Sequence, residues 1–191
     1  MPTVRDKKGN NLLEFPDDYI VVDLETTGFS PLYNNIIEVA AVRVADGVVV
    51  DNFQSLINPG HKVSSEITGL TGITNEMLAE EPSISSVLPQ FLDYVGDSMI
   101  IAHNAHFDIN FIYDNCCRAL DHFFVNDFIC TMRISRRLYR EHKRHTLSAI
   151  IDRLGVGETV EHRALSDATQ THKCYEIMKR HARENNIILR K

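Results

Sequence analysis

Between Tyr19 and Gly28 the chain reads Tyr19-Ile20-Val21-Val22-Asp23-Leu24-Glu25-Thr26-Thr27-Gly28, and no other stretch restricts the fold so tightly. Its first half is β-branched and apolar, the pattern of a strand buried on both faces. Side chains alternate along a strand, so Asp23 and Glu25, separated by Leu24, point to one side. Two like charges at the edge of a core repel each other and resist desolvation. A divalent cation with oxygen ligands relieves both penalties. Thr26, Thr27 and Gly28 then break the strand, and the glycine lets a ligand approach closely. A lone Asp-x-Glu is equally consistent with a solvated strand end, which makes the other carboxylates of the chain decisive.

The remaining pattern is that of an α/β domain. Residues 1–18 are polar, with a turn at Gly9-Asn10-Asn11, and form an N-terminal arm. After Gly28, apolar runs from Ile36 to Val44 and from Val48 to Ile57 are joined by Asp46-Gly47, a strong hairpin signal. Glu38 interrupts the first run, and an edge position is expected for it rather than burial beside the carboxylate pair. Short capped helices follow at Ser64–Gly69 and from Thr74 or Asn75. A stripe of apolar residues marks a helix over Ser83–Gly96. A short strand over Met99–Ala102 leads to a helix over His106–Ala119, and a strand over Phe124–Cys130 leads to a basic helix over Thr131–Lys143. Helices over Thr146–Leu154 and Arg163–Glu184 complete the chain. An antiparallel start followed by strand–helix alternation predicts a mixed sheet flanked by helices.

Two more carboxylates fall where they can join the first pair. Asp108 opens the helix after the Met99–Ala102 strand; the macrodipole alone would favour it there, but that strand can lie beside the first. Asp167 belongs to the inward stripe of the last helix, with Ala164, Ala168, Thr171, Tyr175 and Met178. A carboxylate there is costly unless paired or bound to metal, and Arg163 or His162 is the alternative partner. Five residues advance a helix by about 500°, so His162 and Asp167 reach one site only if His162 precedes the helix. Between these elements runs a basic segment, Arg133, Arg136, Arg137, Arg140, Lys143, Arg144 and His145. It reads first as a solvated face, and second as a contact for phosphates upstream of a reacting end.

Together these residues resemble the DEDDh superfamily of 3′–5′ exonucleases, in particular its epsilon-type (proofreading) branch from bacterial DNA polymerase III. The motifs stand as Asp23-Leu24-Glu25-Thr26-Thr27-Gly28, His103-Asn104-Ala105-His106-Phe107-Asp108 and His162-Arg163-Ala164-Leu165-Ser166-Asp167, and the likeness extends over about residues 19–183. It implies a ribonuclease H-like fold, a five-stranded mixed sheet of order 3-2-1-4-5 with strand 2 antiparallel. It also implies an exonuclease domain over 19–184 and a short tail over 185–191. Asp23, Glu25, Asp108 and Asp167 take the places of the four metal-binding carboxylates, and His162 that of the general base. Two divalent cations, Mg²⁺ or Mn²⁺, suit such a carboxylate site. In this reading Asp23 bridges both cations, Glu25 and Asp167 complete the first site, and Asp108 holds the second. Thr26, Thr27 and Gly28 match positions around the terminal nucleotide, Glu66 the contact to its 3′ hydroxyl and Asn104 a phosphate contact. Thr71 departs from the histidine that the proofreading subunit often has.

The implied activity is release of nucleoside 5′-monophosphates from a single-stranded or frayed 3′ end, with DNA favoured over RNA and a DNA polymerase as candidate partner. The rival reading is a non-catalytic module on the same fold, whose signature would be degraded carboxylates; none of the five positions is degraded. The chain ends at Lys191, soon after the last helix, which reads as lacking the long tail that grips a polymerase. A formal net charge of −6 over 191 residues argues against binding polyanions by bulk electrostatics, so metals and a local basic patch must neutralise the phosphates. Cys116, Cys117, Cys130 and Cys174 have neither disulfide nor zinc spacing, which predicts a reduced, cytoplasmic protein. No secretory leader or membrane span is apparent.

Overall fold

The computed structural model describes residues 4–157 and 160–189. Among these residues six strands form one sheet, β1 (Asn11–Leu12), β2 (Tyr19–Thr26), β3 (Ile36–Ala45), β4 (Val48–Leu56), β5 (Ile100–Ala102) and β6 (Phe128–Cys130), in the order β1-β6-β5-β2-β3-β4. Seven helices accompany them: α1 (Ser65–Thr71), α2 (Asn75–Leu78), α3 (Ile84–Val95), α4 (His106–Leu120), α5 (Thr131–Leu138), α6 (Leu147–Leu154) and α7 (Ala164–Glu184). Counting from β2, the five strands other than β1 keep the expected order 3-2-1-4-5. Strand β3 runs antiparallel to β2 and β4, while β5 and β6 are parallel to β2.

The sixth strand comes from the segment expected to be a polar arm. Asn11 and Leu12 pair in parallel with Phe128 and Ile129, and Gly9 lies so close to Asn126 that a Cβ there would stand 2.0 Å from its carbonyl oxygen. Arg5 makes two hydrogen bonds, of 2.6 and 2.8 Å, to buried Asp114 on α4. The turn expected at 9–11 falls at Asp6–Lys7 instead. Two residues are too short a run to show strand periodicity.

Strand β2 is covered on both sides, as its composition demands. Ile20, Val22 and Leu24 pack with α3 and α4 residues such as Phe91 and Ile109, whereas Tyr19 and Val21 pack with Ala168, Tyr175 and Met178 of α7. This alternation carries Asp23 and Glu25 onto the α7 side at the strand's end.

Two further elements and one residue differ from expectation. Strand β6 is confined to Phe128–Cys130 because its partner β5 is three residues long; Asn126 instead donates to the Gly96 and Ser98 carbonyls. Helix α5 stops at Leu138, where the chain folds back so that His145 can bond Ser135 Oγ (2.8 Å) beneath it. Glu38 is no edge residue. It is completely buried on central strand β3, opposite Glu25.

Candidate active site

A cleft of about 680 Å³ opens at the end of β2. Its lining includes Asp23, Glu25, Asp108, Asp167, His162 and Asn104, with Phe29, His103, Phe107 and the Thr146–Ser148 segment as walls. Three elements deliver the four carboxylates. β2 and β5 are parallel neighbours, so the end of β2 and the start of α4, just after β5, lie at the same end of the sheet, where open α/β sheets bind ligands. Asp167 comes from the first turn of α7, which crosses β2 and β3.

His162 sits before α7, not on it, with φ +51°. A left-handed backbone is costly for a residue with a Cβ, and here it turns the imidazole back towards the helix start. Ligand-capable atoms of Glu25, His162 and Asp167 all lie within 4.8 Å of one another. The entering loop also serves Asp167, whose Oδ1 accepts the Glu161 N–H at 3.2 Å.

Burial raises the proton affinity of all four acids, and neighbouring cluster carboxylates add to it at Asp23, Glu25 and Asp108. Desolvation at the cleft floor is the largest cause for Asp23, followed by the charges of Asp108, Glu25, Asp167 and Glu38. Glu25 is pushed up to about 8, by desolvation first and then by Asp167 and Glu38, with Arg163 opposing. Asp108 is raised by burial, against the pull of its own backbone N–H and that of Leu24. Asp167 is raised by burial too, with the Glu161 N–H and His162 opposing. Four acids that resist ionising together form an oxygen-rich donor set, and divalent cations suit it.

Glu38 adds its charge to the crowding and stays ionised itself, because that charge is fully bonded. It accepts from the Arg163 guanidinium (2.8 Å), the Ala164 N–H (2.9 Å) and Gln54 (2.8 Å). These bonds hold its carboxyl below the usual range although burial works against them. Arg163 is therefore committed to Glu38 rather than Asp167, and the pair pins the first residue of α7.

The other candidate residues are placed differently. Thr26 is buried, and its hydroxyl donates to the Gly28 carbonyl (2.7 Å). Thr27 Oγ1 accepts from the Asn35 N–H (3.0 Å). Gly28 closes this loop, since a Cβ there would stand 2.7 Å from the Asn34 side chain. Glu66 is exposed on α1 and outside the cleft lining. Thr71 is buried; its hydroxyl donates to the Ile67 carbonyl (2.9 Å) and accepts from the Ile73 N–H (3.1 Å). The structure therefore gives Thr71 a helix-terminating role, and neither residue is among those that line the cleft. Sequence reasoning placed Glu38 at an edge and passed over the wall residue Phe29, which is 87% exposed. An acid inside an apolar strand, with an arginine within the third motif, was the available signal for Glu38.

A mixed sheet that ends in four converging acids and a histidine defines a hydrolase of the ribonuclease H-like class. The exonuclease family model (RNase T) matches residues 20–175. Among relatives, the DNA polymerase III epsilon subunit of Aquifex aeolicus is 37% identical over 169 residues, covering 88% of this chain and 83% of that protein. The PolC-type DNA polymerase III of Clostridium perfringens is 40% identical over 157 residues, covering 82% of this chain but 11% of that much longer one. A solved structure of exonuclease X in complex with 5′-overhanging duplex DNA superposes with a TM-score of 0.66 at 29% identity, covering 84% of this chain and 91% of that one. The chain belongs to the exonuclease family, and within it to the DNA polymerase III epsilon type. Among the described residues no helix is long and apolar enough to cross a membrane.

Proposed function

We propose that this exonuclease hydrolyses the terminal phosphodiester at the 3′ end of a single-stranded or frayed DNA strand, with two divalent cations, Mg²⁺ or Mn²⁺, held by Asp23, Glu25, Asp108 and Asp167. The observation that carries this reading is the convergence of these four acids and His162 on one cleft. Bound cations supply Lewis-acid stabilisation of the attacking and leaving oxygens and of the charge on phosphorus. Asp23, Glu25, Asp108 and Asp167 would hold those cations, whose charge would offset the desolvation and mutual repulsion of the carboxylates.

His162 acts as general base: an imidazole nitrogen takes the proton of the water that attacks phosphorus. The P–O3′ bond breaks, the 3′ oxygen leaves with a proton from solvent, and the products are a nucleoside 5′-monophosphate and a strand one residue shorter. Arg163 and Glu38 fix the segment that carries His162. Asn104 and the loop over Thr26–Gly28 are proposed to hold the terminal nucleotide and Glu66 to meet its 3′ hydroxyl, with Thr71 standing where the epsilon type often has histidine. The epsilon subunit is by name part of a polymerase, and a DNA polymerase is the proposed partner here.

The test is digestion of 5′-labelled single-stranded DNA, beside a matched RNA, with Mg²⁺, with Mn²⁺ and with EDTA. A metal-dependent ladder that shortens from the 3′ end is expected, with loss of roughly a hundredfold or more in Asp167→Ala. Equal activity in that variant contradicts the site. A His162→Ala variant at the wild-type rate at pH 7.5 contradicts the base.

A further inference from the structure

Beyond the cleft the basic segment takes a defined shape. Helix α5 ends at Leu138, where the Tyr139 N–H bonds the Ser135 carbonyl (2.9 Å). The following loop is fixed from beneath. His145 is buried, with Nδ1 2.8 Å from Ser135 Oγ and Nε2 3.0 Å from the His142 carbonyl, while Arg153 donates to the Arg144 carbonyl at 2.7 Å.

The last turn of α5 and the loop turn their cations outward: Arg136 on the helix and Arg140, Lys143 and Arg144 after it are all exposed. Among the described residues none of these four forms a salt bridge. Glu141, the one acid of the segment, faces His142 at 3.3 Å. In a chain of net charge −6, four unpaired cations within nine residues are a local reversal of sign.

The ridge is continuous with the cleft. Arg144 stands two residues before Thr146, which with Leu147 and Ser148 walls the carboxylates. Arg136, at the other end, lies close enough to wall residue His103 for its charge to disfavour the imidazolium. A polyanion entering a cleft floored by four acids needs compensating charge along its length, and cations at the site neutralise only the reacting phosphate. We propose that Arg136, Arg140, Lys143 and Arg144 form a docking track for the phosphates of the strand upstream of the reacting end. This rests on the exonuclease reading of the cleft. The track grips backbone without reading sequence, and its contribution grows with strand length until the ridge is filled.

The experiment compares wild type with an Arg140→Gln, Lys143→Gln, Arg144→Gln triple variant on dT3 and dT12 at several salt concentrations with Mg²⁺. On dT12 the variant's kcat/KM falls about tenfold, through KM, while on dT3 it stays within about twofold of wild type. The logarithmic salt dependence on dT12 becomes shallower by about 2, since each phosphate contact on a single strand contributes about 0.7. The ratio between two lengths in one sample cancels any loss of folded protein. Equal falls on both lengths overturn the track. So does an unchanged dT12 rate, the outcome expected if the ridge serves an acidic protein instead. Wild-type inactivity on both oligonucleotides contradicts the exonuclease reading; anisotropy of 5′-fluorescein dT12 against salt then decides the ridge by the same change in slope.

Discussion

Glu25 shows how single residues here trade stability for chemistry. Its carboxyl lies near 4.5 in an open chain and is pushed up to about 8 in the fold, by desolvation and then by Asp167 and Glu38. Between those values the folded state holds a proton that the unfolded state has released. The stability this contributes is therefore complete below about 4.5 and disappears as pH rises through 8. Asp23, Asp108 and Asp167 shift the same way. His103, lowered to about 4 by burial, has the opposite slope but only below its ordinary value, and Glu38 acts only in acid. From pH 6.5 to 8.5 the acids dominate. The melting temperature of EDTA-treated protein should fall across that window in scanning fluorimetry, and Mg²⁺ should raise it more at pH 8.5 than at 6.5. A flat or rising metal-free profile would contradict the crowding. That Asp23, Glu25, Asp108, Asp167 and His162 meet in one cleft was legible in the sequence, because each is spelled within a local motif. The state of Glu38 was not, because its partner Arg163 lies 125 residues away.

At the scale of elements, α7 is positioned at its start. The Arg163–Glu38 pair fastens it to β3, with the Glu38 side chain fully buried and Arg163 37% exposed. Removing the arginine strands a charge in the core. Arg163→Ala should destabilise the protein by about 3 kcal/mol, the low end of the ~3–5 kcal/mol for broken buried pairs because Arg163 is partly solvated. Urea unfolding measures this, and a loss under about 1 kcal/mol would contradict the clamp. The N-terminal segment gives a second prediction. Gly9→Ala places a Cβ against the Asn126 carbonyl, and prying β1 from β6 should cost about 1–3 kcal/mol; unchanged stability would show that the arm is not packed as described. Long periodic elements such as α3 and α7 could be read within a residue or two. β1 and the end of α5 could not, since a two-residue strand has no period and the α5 stop depends on His145 folding back beneath Ser135.

Over the whole molecule, sheet order and site follow from one arrangement. Parallel β2 and β5 bring Asp23, Glu25 and Asp108 to the same end of the sheet, and α7 closes over that end with Asp167. The fold order was legible because hairpin and alternation signals extend over most of the chain; the cleft walls were not, since Phe29, His103 and Thr146–Ser148 meet only through tertiary packing. The central claim is that cations make the convergence of four acids tolerable. Anomalous scattering from a crystal soaked in Mn²⁺ tests it most directly. The account predicts two peaks among Asp23, Glu25, Asp108 and Asp167, about 3.5–4 Å apart, and no density there at saturating Mn²⁺ would contradict it.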